Sequence, residues 1–302
     1  MQIGLIGLGK MGFNLALNMR DHGHQVLGFS RTAATVQRAL AEGITGAGSV
    51  EGLVAGLPPR RVIWLMVPAG RPVDDNLAKL VPLLGEHDII IDGGNSNYRD
   101  TLARYQMLKE KNINLVDVGT SGGTEGARHG ACAMIGADPA VFAYLKPLFQ
   151  DICVESGYLH TGASGSGHFV KMVHNGIEYG MIQAIGEGFE ILDKCGFALD
   201  PAAVARVWNH GSVIRSWLIE LAEQTFRQDP GLASINGVVH SSGEGLWTVQ
   251  EALDLKVPVP VIAGSLFMRY RSEQEDTFSG KLAAALRNQF GGHQVDKKQL
   301  DK

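Results

Sequence analysis

Cysteine is scarce. Cys132, Cys153 and Cys195 are the only thiols and no CxxC spacing links them, which leaves neither a disulfide framework nor a zinc site. No metal is expected. Apolar runs such as Val62 to Pro68 are far shorter than the ~20 residues that span a bilayer. The first residues pass directly into a strand-like run, so no signal peptide is expected and a reducing cytoplasm is the natural setting. Basic charge is not in excess either. Lys and Arg number 27 against 31 Asp and Glu, a net charge of −4, which argues against nucleic acid or an anionic membrane as partner. An anionic substrate would therefore need a local cationic pocket.

Glycine, by contrast, is plentiful at 39 of 302 residues, without the fixed period of a collagen-like chain. It clusters after apolar runs, where a backbone turns tightly or approaches a ligand. Candidate strands are Gln2 to Ile6, Gln25 to Phe29, Arg61 to Met66, Asp88 to Ile91, Leu115 to Val118, Ala131 to Ile135 and a region around Cys153, with helical stretches between most of them. That alternation indicates an α/β domain with a largely parallel sheet of Rossmann type. The strand near Ala131 breaks the rhythm, so a mixed edge is expected. From Ser164 to Cys195 the chain reads as one long helix, and nearly everything to Gln289 reads as helical. Asp200-Pro201 looks like an N-cap followed by proline at the first helical position. The expected division is 1–162, a dinucleotide-binding domain; 163–290, an all-helical substrate and dimerisation domain; and 291–302, a tail.

Gly7-Leu8-Gly9-Lys10-Met11-Gly12 follows the first strand and opens a helix, the context that gives a GxGxxG motif meaning. Gly7 permits the turn, Gly9 lets backbone approach a pyrophosphate, and Gly12 allows close helix packing. The helix N-terminus then offers free N–H groups and positive dipole to the phosphates. The second strand lacks the terminal Asp or Glu that holds both ribose hydroxyls of NAD. Ser30-Arg31-Thr32 stands there instead, and Arg31 could pair with the 2′-phosphate of NADP. The alternative is that Arg31 stacks on adenine and admits NAD as well.

A second pattern lies on the long helix. Lys171, His174, Asn175, Glu178 and Tyr179 stand at i, i+3, i+4, i+7 and i+8, which places all five on one face. Ordinarily such a stripe is apolar and faces a core. Here it is polar or ionisable, and His, Asn and Tyr are unusual choices for a merely solvated face. A cleft lining is the better reading. At a rise of ~1.5 Å per residue, Lys171 and Glu178 lie roughly 10 Å apart along the axis, enough to bracket a sugar-sized molecule.

The run His168 to Tyr179 resembles the signature of decarboxylating 6-phosphogluconate dehydrogenase. Further segments are similar to that family in order. They are Met66-Val67-Pro68, a cofactor-contact loop; Ile91 to Ser96, including Asn95, followed by Tyr98 and Asp100-Thr101; Gly119-Thr120-Ser121-Gly122-Gly123 with Glu125 to Arg128; and Arg287 to His293. The likeness covers nearly the whole chain, at the length of the family's short form. It implies NADP as cofactor, with NAD open, and a sugar-phosphate acid as substrate. It implies that Lys171 takes the proton of the C3 hydroxyl as hydride leaves, and then, as an ammonium, polarises the ketone while CO2 departs. Glu178 would protonate C1 of the resulting enediol. Asn95, Ser121, Gly122, Gly123, His174 and Asn175 would hold carboxylate and hydroxyls, and Tyr179 and Arg269 the phosphate. Arg287 and His293 would complete the site of a partner subunit in a homodimer or homotetramer, unless the terminus simply frays.

One departure stands out. Long-form members carry cations where this chain has Ser242 and Leu246, which weakens the expected phosphate grip. Two rivals follow from the residues. One is a non-decarboxylating β-hydroxyacid dehydrogenase of the 3-hydroxyisobutyrate type, which would not need Glu178. The other is a non-catalytic NADP(H) sensor, which would have no use for a paired acid and base.

Overall fold

A computed structural model describes residues 1–296; the last six positions of the expected tail lie outside the described residues. The first half of the chain alternates strictly enough to set a sheet. In order come β1 (Gln2–Ile6), α1 (Lys10–Asp21), β2 (Gln25–Phe29), α2 (Ala33–Ala41), β3 (Thr45–Gly46) and α3 (Val50–Ala55). Next are β4 (Val62–Leu65), α4 (Arg71–Leu80), β5 (Ile89–Asp92), α5 (Tyr98–Lys109), β6 (Asn114–Ser121) and α6 (Gly123–His129). Then follow β7 (Ala131–Gly136), α7 (Pro139–Ile152), β8 (Cys153–Gly162) and α8 (Ser166–Lys194). The remaining helices are α9 (Pro201–Asn209), α10 (Trp217–Gln228), α11 (Glu244–Asp254), α12 (Pro260–Ser272) and α13 (Phe278–Gly291). By contact the chain divides into two compact units, Met1–Gly176 and Ile177–Lys302.

In the first unit the eight strands lie in the order β3-β2-β1-β4-β5-β6-β7-β8, all parallel except the β6–β7 pair. The expected mixed edge is therefore real, and it comes from a short return through α6. Every residue of β4 and β5 is buried, as a parallel sheet covered on both faces demands. Strand period two sorts these side chains into two cores. Ile3, Leu5, Trp64, Ile91 and Val116 pack on one face, and Ile6, Ile63, Leu65, Ile90 and Leu115 on the other. The order reverses between β1 and β4, the switch point outside which α/β sheets bind ligands. The two-residue β3 was not among the expected strands, because so short a polar edge carries no periodicity.

The boundary expected near Gly162 marks the end of β8, whereas the compact unit continues through the first three turns of α8. The reason is how closely α8 meets the sheet. A Cβ on Gly167 would sit 2.5 Å from the carbonyl oxygen of Met134 and 2.6 Å from that of Asp117. With no side chain there, helix backbone rests directly on strand backbone.

The second unit is helical, and α9 begins as its sequence suggests, with the Asp200 side chain accepting from the amides of Ala202 and Ala203. Its small core joins Phe189 of α8 to Ala205, Trp208, Ile219 and Phe226. Helix is not continuous to Gln289, however. Residues 229–243 form turns around Asp229, which accepts from Ala233 N at 3.1 Å and from Ser234 N at 2.9 Å. The Ser234 hydroxyl leads the hydrogen bonds that hold the Asp229 carboxyl below its ordinary range. Pro230, Gly231 and Gly237 explain why no helix forms there.

Candidate active site

The N-terminus of α8 is capped from the sheet rather than from its own sequence. Asp117, fully buried in β6, accepts from Ser164 Oγ at 3.1 Å, Gly165 N at 2.5 Å and His168 N at 2.8 Å. A carboxylate at a helix N-terminus satisfies orphan amides and complements the dipole. One turn on, His168 Nδ1 meets Thr101 Oγ1 of α5 at 2.8 Å. These contacts fix the helix before the polar stripe begins. The close fit continues at Gly119 of β6, where a Cβ would fall 2.2 Å from Lys171 Cβ.

In the first turns of α8 polar side chains are buried beside exposed apolar ones, although Met172 is buried as well. Lys171 and Asn175 are 6% and 7% exposed, while the apolar Val170 and Ile177 are 38% and 52% exposed. In the first unit the structure brings together Lys171, His174, Asn175 and Ser121. Lys171 Nζ is 3.3 Å from His174 Nδ1, which is also 3.1 Å from Asn175 Oδ1, and His174 Nε2 is 3.2 Å from Ser121 Oγ. An ammonium has only donors. Where Lys171 donates to His174 Nδ1, the ring proton lies on Nε2, facing Ser121, and Nδ1 makes no hydrogen bond to Asn175 Oδ1. A neutral Lys171 lets Nδ1–H donate instead, with the Ser121 hydroxyl turned to give to Nε2. Ser121 Oγ can serve either tautomer by rotation.

The second unit holds the other end of the stripe. Glu178 is half-buried. Tyr179 is buried, with the Arg269 guanidinium 3.3 Å from its ring centroid. Its hydroxyl is 3.5 Å from Ser242 Oγ, which donates at 2.5 Å to Glu244 Oε2. Gly245 packs against the same ring, since a Cβ there would meet it at 2.4 Å. Arg269 and Tyr179, expected to hold a phosphate, are in contact, and a buried carboxylate, Glu244, lies beside them through Ser242. Arg287 and His293 lie on and just beyond α13 and are exposed, and Asn288 Nδ2 donates to the His293 carbonyl.

The residues expected to hold the cofactor lie in the first unit, in the loops that follow β1, β2, β4 and β5 and at the start of α1. Gly7 has φ +104°, and a Cβ on it would sit 2.2 Å from the Met66 carbonyl oxygen. A Cβ on Gly12 would sit 1.9 Å from the Gly7 oxygen, whereas one on Gly9 would meet nothing within 4 Å. Gly7 and Gly12 are thus fixed by packing, and Gly9 opens outward. No side chain caps the helix that follows, and its first turn has no acidic residue. Those features fit a pyrophosphate. Lys10, Arg31, Thr32 and Pro68 are exposed, while Leu8 is core and Met11, Ser30, Met66 and Val67 are half-buried. Asn95 is exposed in the loop after β5. Ser121, Gly122 and Gly123 lead from β6 into α6, and the first two are half-buried.

Asp117 and Glu244 escaped the motif reading. Asp117 was detectable as a lone carboxylate inside the apolar run Leu115-Val116-Asp117-Val118. Glu244 had no such signal, since only a buried partner distinguishes it from an ordinary acidic first turn.

Comparisons agree along the whole chain. Residues 2–162 match the family described as the NAD binding domain of 6-phosphogluconate dehydrogenase, and residues 167–302 match the 6-phosphogluconate dehydrogenase C-terminal domain. A Bacillus subtilis protein provisionally named 6-phosphogluconate dehydrogenase is 54% identical over 99% of this chain and 100% of its own length. The NAD(+)-dependent, decarboxylating 6-phosphogluconate dehydrogenase of Haloferax volcanii is 44% identical over 99% of both chains. Among solved structures, Plasmodium falciparum 6-phosphogluconate dehydrogenase, described with NADP+ and with 6-phosphogluconate, has a TM-score of 0.83 at 32% identity. It covers 100% of this chain, which spans 66% of that one.

Proposed function

This chain belongs to the decarboxylating 6-phosphogluconate dehydrogenase family, in a short form of 302 residues, and from that premise we propose that it converts 6-phospho-D-gluconate to D-ribulose 5-phosphate and CO2 with reduction of NADP. The observation that carries the reading is the buried amine of Lys171 joined to His174 and Asn175 on one helix face. A lysine is rarely buried, because desolvating its charge is costly, and an amine held among hydrogen-bonding neighbours is placed to exchange a proton.

Lys171 takes the proton of the C3 hydroxyl as C3 is oxidised. A bound nicotinamide supplies the acceptor for the hydride. Now an ammonium, Lys171 donates to the new C3 carbonyl, so that electrons of the breaking C1–C2 bond have somewhere to go as CO2 leaves. The proton passes from Lys171 to the C3 oxygen as the enediol forms; Glu178 then protonates the former C2, which becomes C1 of ribulose 5-phosphate, while Lys171 takes back the C3 hydroxyl proton and the ketone re-forms. Ser121, His174 and Asn175 hold the carboxylate and C2–C3 hydroxyls, with Asn95, Gly122 and Gly123 beside them. Tyr179 and Arg269 hold the far phosphate. Arg31, flanked by Ser30 and Thr32, pairs with the 2′-phosphate of NADP, although the NAD(+)-dependent relative keeps NAD open for this chain. Gly7 to Gly12 cradle the pyrophosphate, and Met66, Val67 and Pro68 meet the nicotinamide half.

The protein works as a homodimer in the cytoplasm, each tail, with Arg287 and His293, completing the other subunit's site. What supports the dimer is α13, whose Phe278, Leu282, Leu286 and Phe290 recur every fourth residue as one exposed apolar ridge.

Initial rates with 6-phosphogluconate, gluconate and 3-hydroxyisobutyrate, each with NADP and NAD, test the reading. Equal amounts of CO2 and NADPH from 6-phosphogluconate are expected. Reduced cofactor without CO2 would identify a non-decarboxylating β-hydroxyacid dehydrogenase, and cofactor binding with no turnover a sensor.

A further inference from the structure

A buried cation outside every motif discussed so far ties together the two loops that flank the nicotinamide half of the proposed cofactor site. Arg104, on the second turn of α5, is 6% exposed. Its Nε donates to Asp74 Oδ1 of α4 at 2.8 Å, and its Nη2 donates to the Gly70 carbonyl at 3.2 Å. Its Nη1 lies 3.4 Å from Ser96 Oγ and 3.6 Å from Asp92 Oδ2. Gly70 ends the loop that carries Met66, Val67 and Pro68, and caps α4. Asp92 and Ser96 bracket Asn95 in the loop after β5. Asp92 is itself committed to that loop, accepting from Gly94 N at 3.1 Å and from Ser96 Oγ at 2.7 Å. The two loops also touch, since a Cβ on Gly94 would sit 2.7 Å from the Val67 carbonyl oxygen. A planar guanidinium reaches these three directions at once, which a single ammonium does not.

We propose that Arg104 is a positioning residue for the nicotinamide end of the dinucleotide: through Gly70, Asp92 and Ser96 it fixes Val67-Pro68 and Asn95 relative to one another. The inference rests on reading the first unit as a dinucleotide site. It separates two halves of that site. The pyrophosphate turn at Gly7 to Gly12 and the ribose end at Ser30 to Thr32 belong to β1, α1 and the end of β2, whereas every partner of Arg104 named above belongs to α4, to the end of β5, or to the loops preceding α4 and α5.

Calorimetric titration of the full-length protein with NADP and with its adenine half, 2′,5′-ADP, tests this directly. In Arg104→Lys, 2′,5′-ADP should bind within about twofold of wild type, while NADP binds about tenfold more weakly, the loss of roughly one charged hydrogen bond. The kcat should fall with little change in the substrate KM. Equal losses for both ligands would show a general weakening of the unit and overturn the inference, as would no loss for either. Should Arg104→Lys not fold, Ser96→Ala removes the hydroxyl between Arg104 and Asp92 but keeps both charges, and the same split is expected. Wild-type protein that binds neither NADP nor NAD would overturn the dinucleotide reading itself, an outcome distinct from equal losses in the variant.

Discussion

Lys171 and Asn175 are buried on α8 while Val170 and Ile177 are exposed. That arrangement was legible in the sequence because polar side chains at helical spacing cannot be hidden by composition. Asp117 and Glu244 were harder to find, since each depends on partners far away in sequence. Glu244, 6% exposed and bonded to Ser242, places a carboxylate beside the residues proposed to grip phosphate. The cysteines divide as simply. Burial, with a smaller contribution from Cys132, pushes the Cys153 thiol up to about 12, so almost no thiolate exists at pH 8. Cys132 is exposed. Iodoacetamide at pH 8 should label Cys132 and leave Cys153 unmodified in the folded protein, as read by mass spectrometry of peptides. Rapid labelling of Cys153 would contradict its burial.

At the scale of elements, α8 is the decisive piece, and its placement is a matter of missing side chains. The helix itself was legible, within two residues at its start and one at its end. What periodicity does not reveal is that Gly119 and Gly167 let it lie on β6 and β7 without intervening side chains. Gly119→Ala puts a methyl 2.2 Å from Lys171 Cβ, so α8 must move or the strand must bend. Overpacking of this kind costs about 1–3 kcal/mol, and a shift near 1 Å costs catalysis about a hundredfold. We therefore expect kcat to fall by about two orders of magnitude, with a thermal midpoint lower by several degrees in scanning calorimetry. Unchanged kcat would mean that the Lys171 amine is not held by this contact. The helices of the second unit were less legible, because Pro230-Gly231 and the turns to Gly243 interrupt a composition that otherwise favours helix.

Across the whole molecule, the parallel sheet and its antiparallel β6–β7 pair follow from alternation and from the broken rhythm near Ala131, whereas β3 was too short to register. The C-terminal end was readable only by resemblance. Arg287 lies near the end of α13 and His293 just beyond it, both exposed, and the site they are proposed to complete belongs to a second copy of the chain. Deleting Asn288 to Lys302 should raise the substrate KM well above its wild-type value and change the NADP KM much less, measured by initial rates alongside sedimentation velocity. Equal kinetics before and after deletion would remove the shared-site proposal. The central claim, that one buried lysine serves both oxidation and decarboxylation, is tested most directly by Lys171→Met with 6-phosphogluconate labelled at C1. Under saturating NADP, NADPH absorbance and labelled CO2 should both be lost, by at least about a thousandfold, while NADP still binds. Near wild-type rates of either NADPH formation or CO2 release in that variant would contradict the account.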